Sequence, residues 1–268
     1  MTSDGKMLEV ADPENAPKSV RKVAVFRALM LGDLLCSVPA FRGLRRRFPN
    51  AEISLIALPN AREFASRFSH YIDRLIEFPG FPGLPESQPA LSELPSFLRR
   101  LQQENFDLAI QMHGSGELSN PIVSLFNAAN VIGHYPRGRW KPGPAFVEYP
   151  DGGTETERCL SLLREAIGVS EPPNMEFPVT PHDRSEAAKV LHAAGIRTTR
   201  YVCIHPGAQL ASRRWRPEGF AEVADRLAPM GYQVVMTGIE SERPITQAVI
   251  NNMKADAADL TGSTSLGG

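Results

Sequence analysis

From Lys22 onward the chain repeats one rhythm: a short apolar run, a turn of small or polar residues, then bulky apolar side chains at helical spacing. "KVAVF" (22–26) opens it, and after Gly32-Asp33 the residues Leu34, Val38, Phe41, Arg45 and Phe48 predict a helix with its apolar side chains on one face. Pro39 interrupts that pattern. Either the helix kinks there, or a first turn after Asp33 gives way to a helix capped by Ser37, and both readings stay open. "AEISLIAL" predicts the next strand, "NAREFASRF" a short helix and "LIEFP" a third strand. Pro79 to Pro95 is too rich in proline and glycine for a regular element and reads as a long mobile loop. A helix over "SFLRRLQQENF", a strand over "DLAIQM" and a loop "HGSGELSNP" opening a helix at Pro121 complete a doubly wound α/β unit.

The chain then turns irregular through "RGRWKPGPAFVEYPDGG" and recovers in a helix around "TERCLSLLREAIG". It next crosses a proline-rich linker, "VSEPPNMEFPVTPHDRSEA". A second unit follows: strand "RYVCIHPGA", helix "RPEGFAEVADRLAPMG", strand "YQVVMTG", helix "RPITQAVINNM", and "ADLTGSTSLGG", which stops where another helix is due. Met1 to Ser19, polar and without period, reads as a disordered lead-in. The expected organisation is a lead-in over 1–20, one domain over 21–180, a linker and connecting helix over 181–198, and a second domain over 199–268.

Composition narrows the function. The chain has 268 residues, with Lys plus Arg at 29 against Asp plus Glu at 30, so no global field favours nucleic acid and any anion site must be local. Cys36, Cys159 and Cys203 are widely spaced and read as reduced core residues of a cytoplasmic protein. No signal sequence and no membrane span are evident, which leaves peripheral contact with a membrane surface open. The six histidines are scattered and no D-x-D pair occurs, so metal-free chemistry is expected and no cofactor is called for. The missing G-x-G-x-x-G between Phe26 and Gly32 disfavours a dehydrogenase.

Four stretches can carry chemistry. Asp33 lies where a first strand meets a helix, at the strand end where open α/β sheets bind ligands; it fits a base that takes a proton from a hydroxyl, and equally a helix cap. "HPGAQLASRRWRPEGF" places His205, the small residue Gly207, then Arg213, Arg214 and Arg216 just before a helix N-terminus, which suits phosphate. A solvated arginine surface around a core Trp215 fits as well. "TGIESERP" puts Glu240 and Glu242 past a strand end, within reach of ribose hydroxyls or merely solvated. "QMHGSGELSNP" brings His113, Gly114 and Ser115 to a strand end, which suits a sugar or a plain turn.

Three motifs, in order, resemble glycosyltransferase family 9, the ADP-heptose:lipopolysaccharide heptosyltransferases and their relatives: "LGDLLCSVPAFRGLRRRFPNAEISLI", "HPGA…RRWRPEGFAEVADRL…GYQVVMTG" and "DLTGSTSLG". The resemblance covers Lys22 to the last residue. It implies a GT-B fold, two Rossmann-like domains facing each other across a cleft, the C-terminal one incomplete in this chain because the family continues into a D-[ST]-G-x-x-H loop. The acceptor would bind the N-terminal domain near Gly32, His113, Gly114 and Ser115. The nucleotide sugar, with ADP-heptose the expected donor, would bind the C-terminal one.

On that resemblance Asp33 matches the family's catalytic carboxylate in an inverting, metal-independent transfer to a lipopolysaccharide or other cell-surface glycan. His205, Gly207, Arg213 and Arg214 would hold the diphosphate, with Arg213 standing where the family usually has lysine. Thr237, Gly238 and Glu242 or Glu240 would hold the nucleoside, the register of the glutamate being open. Implied partners are the nucleotide sugar, a glycolipid or oligosaccharide acceptor and the inner membrane face, with no nucleic acid. Two other readings stand beside it: a non-catalytic sugar-binding remnant, and another GT-B-like nucleotide-sugar enzyme such as an epimerase.

Overall fold

The computed structural model describes residues 20–208 and 210–268, so the lead-in expected over Met1 to Ser19 lies outside the described residues. The chain divides into two compact units, the first ending at Pro178 and the second running from Val179 to Gly268.

The first unit is built on six parallel strands: β1 (Lys22–Phe26), β2 (Glu52–Ala57), β3 (Arg74–Glu77), β4 (Leu108–Gln111), β5 (Val131–Tyr135) and β6 (Phe146–Glu148), in the order β3-β2-β1-β4-β5-β6. Alternation along β1 explains why both sheet faces are covered. Val23 and Val25 join one core with Leu34, Phe41, Leu44 and Phe64; Ala24 and Phe26 join the other with Phe97, Leu101 and Phe126. The first core is covered by α1 (Leu31–Cys36), α2 (Val38–Arg47), α3 (Arg62–Arg67) and α6 (Glu155–Ile167). The second lies under α4 (Leu94–Glu104) and α5 (Ser119–Ser124). The chain leaves β1 toward β2 on one side and returns to β4 on the other, which puts the topological switch point between the carboxyl ends of β1 and β4.

Several local expectations are refined. The helix after Asp33 breaks at Ser37, and Pro39 falls in the first turn of α2, where its missing N–H costs nothing. Ser37 makes no side-chain cap; its hydroxyl donates instead to the Leu34 carbonyl at 2.6 Å. The Pro79–Pro95 loop packs rather than hanging free: Ala90 N–H donates to the Pro79 carbonyl and Leu84 is buried. Strands β5 and β6, within stretches without a strand signal, are too short to show a period. The segment leaving the unit is tied down by Arg42, which donates to Glu171, Glu176 and the Pro172 and Asn174 carbonyls.

In the second unit β7 (Tyr201–Ile204), β8 (Gln233–Met236) and β9 (Ala257–Asp259) are parallel in that order. Ala257–Asp259 is thus a strand, and a turn follows it. Ile204, Val234, Met236, Ala221, Ala224 and Val249 form a core under α8 (Pro217–Leu227) and α9 (Arg243–Asn252); Val235, Leu260 and Ile196 pack on α7 (Pro181–Ala193). A capping box, Thr180 with Asp183, starts α7 inside the stretch read as linker. Cys203 is exposed on β7, which corrects its assignment to the core; Cys159 is buried and Cys36 half-buried, and all three are free thiols.

Candidate active site

At the switch point the β1 and β4 loops lie side by side. Asp33 is the third residue of α1, whose N-cap is Met30 without a side-chain bond, so the helix-cap reading falls. Among the described residues its half-buried carboxylate has no hydrogen-bond or ion-pair partner. Beside it Gly32 is exposed, and a side-chain carbon built there would meet nothing within 4 Å; the same holds at Gly114, whose φ is +61°. Both backbones therefore border open space that a substrate can enter.

Beneath the pair lies Arg27, fully buried at 0 % exposure. Its Nε and one terminal nitrogen donate to the Asp33 carbonyl at 3.0 and 2.7 Å, the other donates to the Met112 carbonyl at 2.5 Å, and Glu155 Oε1 lies at 3.1 Å. One guanidinium thus joins the loop carrying Asp33 to the loop carrying His113–Ser115 and to the start of α6. Sequence reasoning passed over it. The available signal was a charged residue directly continuing an apolar strand, since a buried arginine must find partners.

His113 is less accessible than a sugar contact requires. Its ring stacks on Phe26 at 5.4 Å between centroids, and Nε2 lies 3.7 Å from Glu86. Burial, assisted by Arg27, lowers its pKa to about 4. The neutral ring faces inward and its carbonyl is bound by Gln111 and Ser119, so in this loop Gly114 and Ser115 are the residues on offer to a ligand. His134 is likewise buried, with a pKa lowered to about 4 by desolvation.

The second unit gathers its candidates at the carboxyl ends of β7 and β8. His205 Nε2 lies 3.4 Å from Glu242 Oε2, and its Nδ1 3.4 Å from Thr237 Oγ1. Glu242 also accepts from the Ile239 N–H at 3.0 Å and lies so close over Gly207 that any side chain at 207 would collide with it. Gly238 adjoins the same carboxylate. Glu240 instead is exposed and bound twice by Arg243 at 2.7 Å, which holds its carboxyl below the usual range. The structure thus brings Glu242, and not Glu240, against the His205–Gly207 loop.

Arg213 ends a short 3-10 turn, exposed and without a carboxylate partner among the described residues; Arg214 Nε donates to the Ala208 carbonyl at 2.8 Å. Arg216 is occupied by Glu222 at 3.4 Å. Trp215, half-exposed, packs on Gly219 and Phe220 at the start of α8 and is not a core aromatic. Among the described residues no three His, Cys, Asp or Glu side chains are placed to hold a metal ion, and none of the described helices is long and apolar enough to cross a membrane.

Two parallel α/β units, each with polar groups at its strand ends, define a mixed α/β fold of the GT-B type. The model of glycosyltransferase family 9 (heptosyltransferase) matches residues 95–268, and the chain belongs to that family. Lipopolysaccharide heptosyltransferase 3 of Escherichia coli K12 is 23% identical over 214 residues, covering 77% of this chain and 60% of that protein. The chain therefore spans about 60% of the length of the two heptosyltransferase 3 sequences of Escherichia coli to which it is similar. A family 9 glycosyl transferase from Veillonella parvula superposes with a TM-score of 0.69 at 22% identity, covering 94% of this chain and 73% of that one. The E. coli ADP-heptose lps heptosyltransferase II does so at 0.67 and 20%, covering 92% and 74%.

Proposed function

We propose that the chain acts in an inverting, metal-independent transfer of a sugar, heptose from ADP-heptose, to a lipopolysaccharide or related cell-surface glycan at the cytoplasmic face of the inner membrane. The observation that carries this reading is the unpartnered Asp33 carboxylate at the switch point, on a loop pinned from below by Arg27. Family membership and the likeness to heptosyltransferases support it.

In this reading residues 21–180 bind the acceptor and 199–268 the donor, joined by 181–198. The acceptor lies against Gly32, Gly114 and Ser115, with His113 shaping the loop from inside. Asp33 takes the proton of the attacking hydroxyl as its oxygen bonds to the anomeric carbon from the face opposite the diphosphate. The bond from that carbon to the diphosphate oxygen breaks, and the nucleoside diphosphate leaves with the electron pair. Arg213, Arg214, His205 and the backbone at Gly207 stabilise the charge that develops there. Thr237, Gly238 and Glu242 hold the nucleoside.

The test is transfer from ADP-heptose to a lipopolysaccharide precursor, with the anomeric configuration of the product read by NMR. Inversion that is lost in Asp33→Asn supports the reading. Retention, or undiminished transfer by Asp33→Asn, overturns it.

A further inference from the structure

The loop His205-Pro206-Gly207-Ala208 leaves β7 with residues small enough for an anion to reach its backbone. In the structure that approach is already taken by an anion of the chain itself. The Glu242 carboxylate, from the 3-10 turn that follows β8, lies where a side chain at Gly207 would begin. Its side chain is 13 % exposed; Oε2 accepts from the Ile239 N–H at 3.0 Å and stands 3.4 Å from His205 Nε2. Oε1 faces Gly207 and has no hydrogen-bond partner among the described residues. On another side a side-chain carbon built at Gly238 would stand 3.2 Å from Oε2, so two glycines leave the room that this carboxylate fills.

A capping role does not account for the placement. Glu242 directly precedes α9, yet its side chain bonds none of that helix's N–H groups. The bond to the Ile239 N–H steadies the turn, and a neutral glutamine would make it equally well. What only the carboxylate supplies is negative charge at the 205–208 backbone. The arginines of this stretch, Arg213 and Arg214, attract anions without distinguishing among them. A bare phosphate or diphosphate brought to Gly207 would lie against a like charge. A ligand that carries hydroxyls beside its diphosphate gives Oε1 the donors it lacks and offsets that repulsion.

We propose that Glu242 is a specificity-determining residue of the donor site: its charge turns bare phosphate and diphosphate away from the 205–208 loop, and the ribose hydroxyls of a nucleoside diphosphate, bonded to the same carboxylate, admit that ligand. The inference rests on the donor-site reading above and adds to it the rejection of anions without a ribose. Selection of this kind uses a repulsive element as well as an attractive one, and here one side chain is both.

Calorimetric titration of the whole chain with pyrophosphate, ADP and 2′,3′-dideoxy-ADP, at low ionic strength and without divalent cations, tests it. The wild type should bind ADP about 30-fold more tightly than dideoxy-ADP, because a site built to bond a hydroxyl rejects the analogue that lacks it. In Glu242→Gln the amide oxygen keeps the Ile239 N–H and the N–H2 group turns toward Gly207. Pyrophosphate and dideoxy-ADP should then tighten about fivefold and ADP should weaken about fivefold, so that the two nucleotides bind alike, with unchanged melting temperature. A folding defect would weaken all three. Raising the salt should erase the gain for pyrophosphate. Glu240→Gln removes an equal charge from the Arg243 pair two residues away and should change each affinity by less than about twofold.

Pyrophosphate bound no more tightly by Glu242→Gln overturns the proposal, and with ADP weakened it leaves Glu242 as a plain ribose acceptor. Equal binding of ADP and dideoxy-ADP by the wild type overturns it as well, as does the failure of both proteins to bind pyrophosphate. An equal gain in Glu240→Gln would assign the effect to overall charge and sink it too. None of these readouts needs turnover. A chain that discriminates in this way but transfers no sugar keeps the selectivity of Glu242 and sinks the transferase reading alone.

Discussion

The two strand-end sites are built in opposite ways. In the first unit the chemistry sits above a fully buried arginine whose hydrogen bonds fix two loops against a sheet covered on both faces. In the second, the cations are exposed and Arg213 has no carboxylate partner among the described residues, while Glu242 is held by His205 and a backbone N–H. A proton acceptor must be positioned to a fraction of an ångström, whereas a flexible diphosphate can be met by side chains that order around it. The contrast assigns rigidity to the proposed base and adaptability to the proposed donor grip.

The sharpest way to break that contrast is Asp33→Asn, expected to lower transfer about 10²- to 10⁴-fold, as loss of a general base does, with the melting temperature unchanged because the carboxylate caps nothing. A stability loss with transfer retained would return Asp33 to a structural role. Arg27→Met comes next. It leaves two carbonyls without their donor and Glu155 with Arg158 alone, at 3.5 Å, so a loss of about 3 kcal/mol in chemical denaturation is expected. Arg27→Lys, which keeps the charge but not the fork, should recover part of that stability while turnover stays low and donor KM stays normal.

How much of this was legible in the sequence follows from where each signal resides. Strand β1 and the Gly32-Asp33 junction showed plainly, because an apolar run ending in a small residue and a carboxylate is a local pattern. The clamp beneath did not: Arg27 acts through Met112 and Glu155, residues 85 and 128 positions away, which no local period records. The choice between Glu240 and Glu242 was equally hidden. Two glutamates two apart look alike until Arg243 claims one of them. Strand β6 escaped because the Pro136–Pro144 stretch before it reads as irregular in any context; only pairing with β5 shows it as a strand. Cys203 misled, since the apolar run "YVCI" carried the signature of a buried strand while Tyr201 and Cys203 face outward.

The second unit is tested more gently. Arg213→Ala should raise donor KM and lower turnover together, about tenfold each, since an exposed cation serves both the bound and the departing diphosphate. Glu242→Gln should weaken nucleotide binding by about five- to tenfold in calorimetry and Glu240→Gln by less than about twofold, the size of a typical hydrogen bond against none. A larger effect at Glu240 would reverse the register drawn from the structure.

Two buried histidines give the first unit a pH dependence of its own. His113 and His134 have pKa values lowered to about 4 from an ordinary 6.5, so the unfolded chain binds their protons first as pH falls. Each contributes stability that is present above about pH 6.5 and is lost progressively as pH falls toward 4, on the order of 3 kcal/mol at the full shift. Denaturation curves between those pH values should flatten in His134→Gln. An unchanged slope would show that His134 is not the group responsible.

The close approach of Gly207 to Glu242 has an evolutionary consequence. The space above residue 207 is filled by a carboxylate from thirty-five positions away, so a side chain at 207 displaces Glu242 from its place beside His205 and the Ile239 N–H, whereas 242 can shorten freely. In a lineage descended from this chain the two positions form one inherited character. A larger residue at 207 keeps the fold but costs the carboxylate its position unless 242 has shortened first.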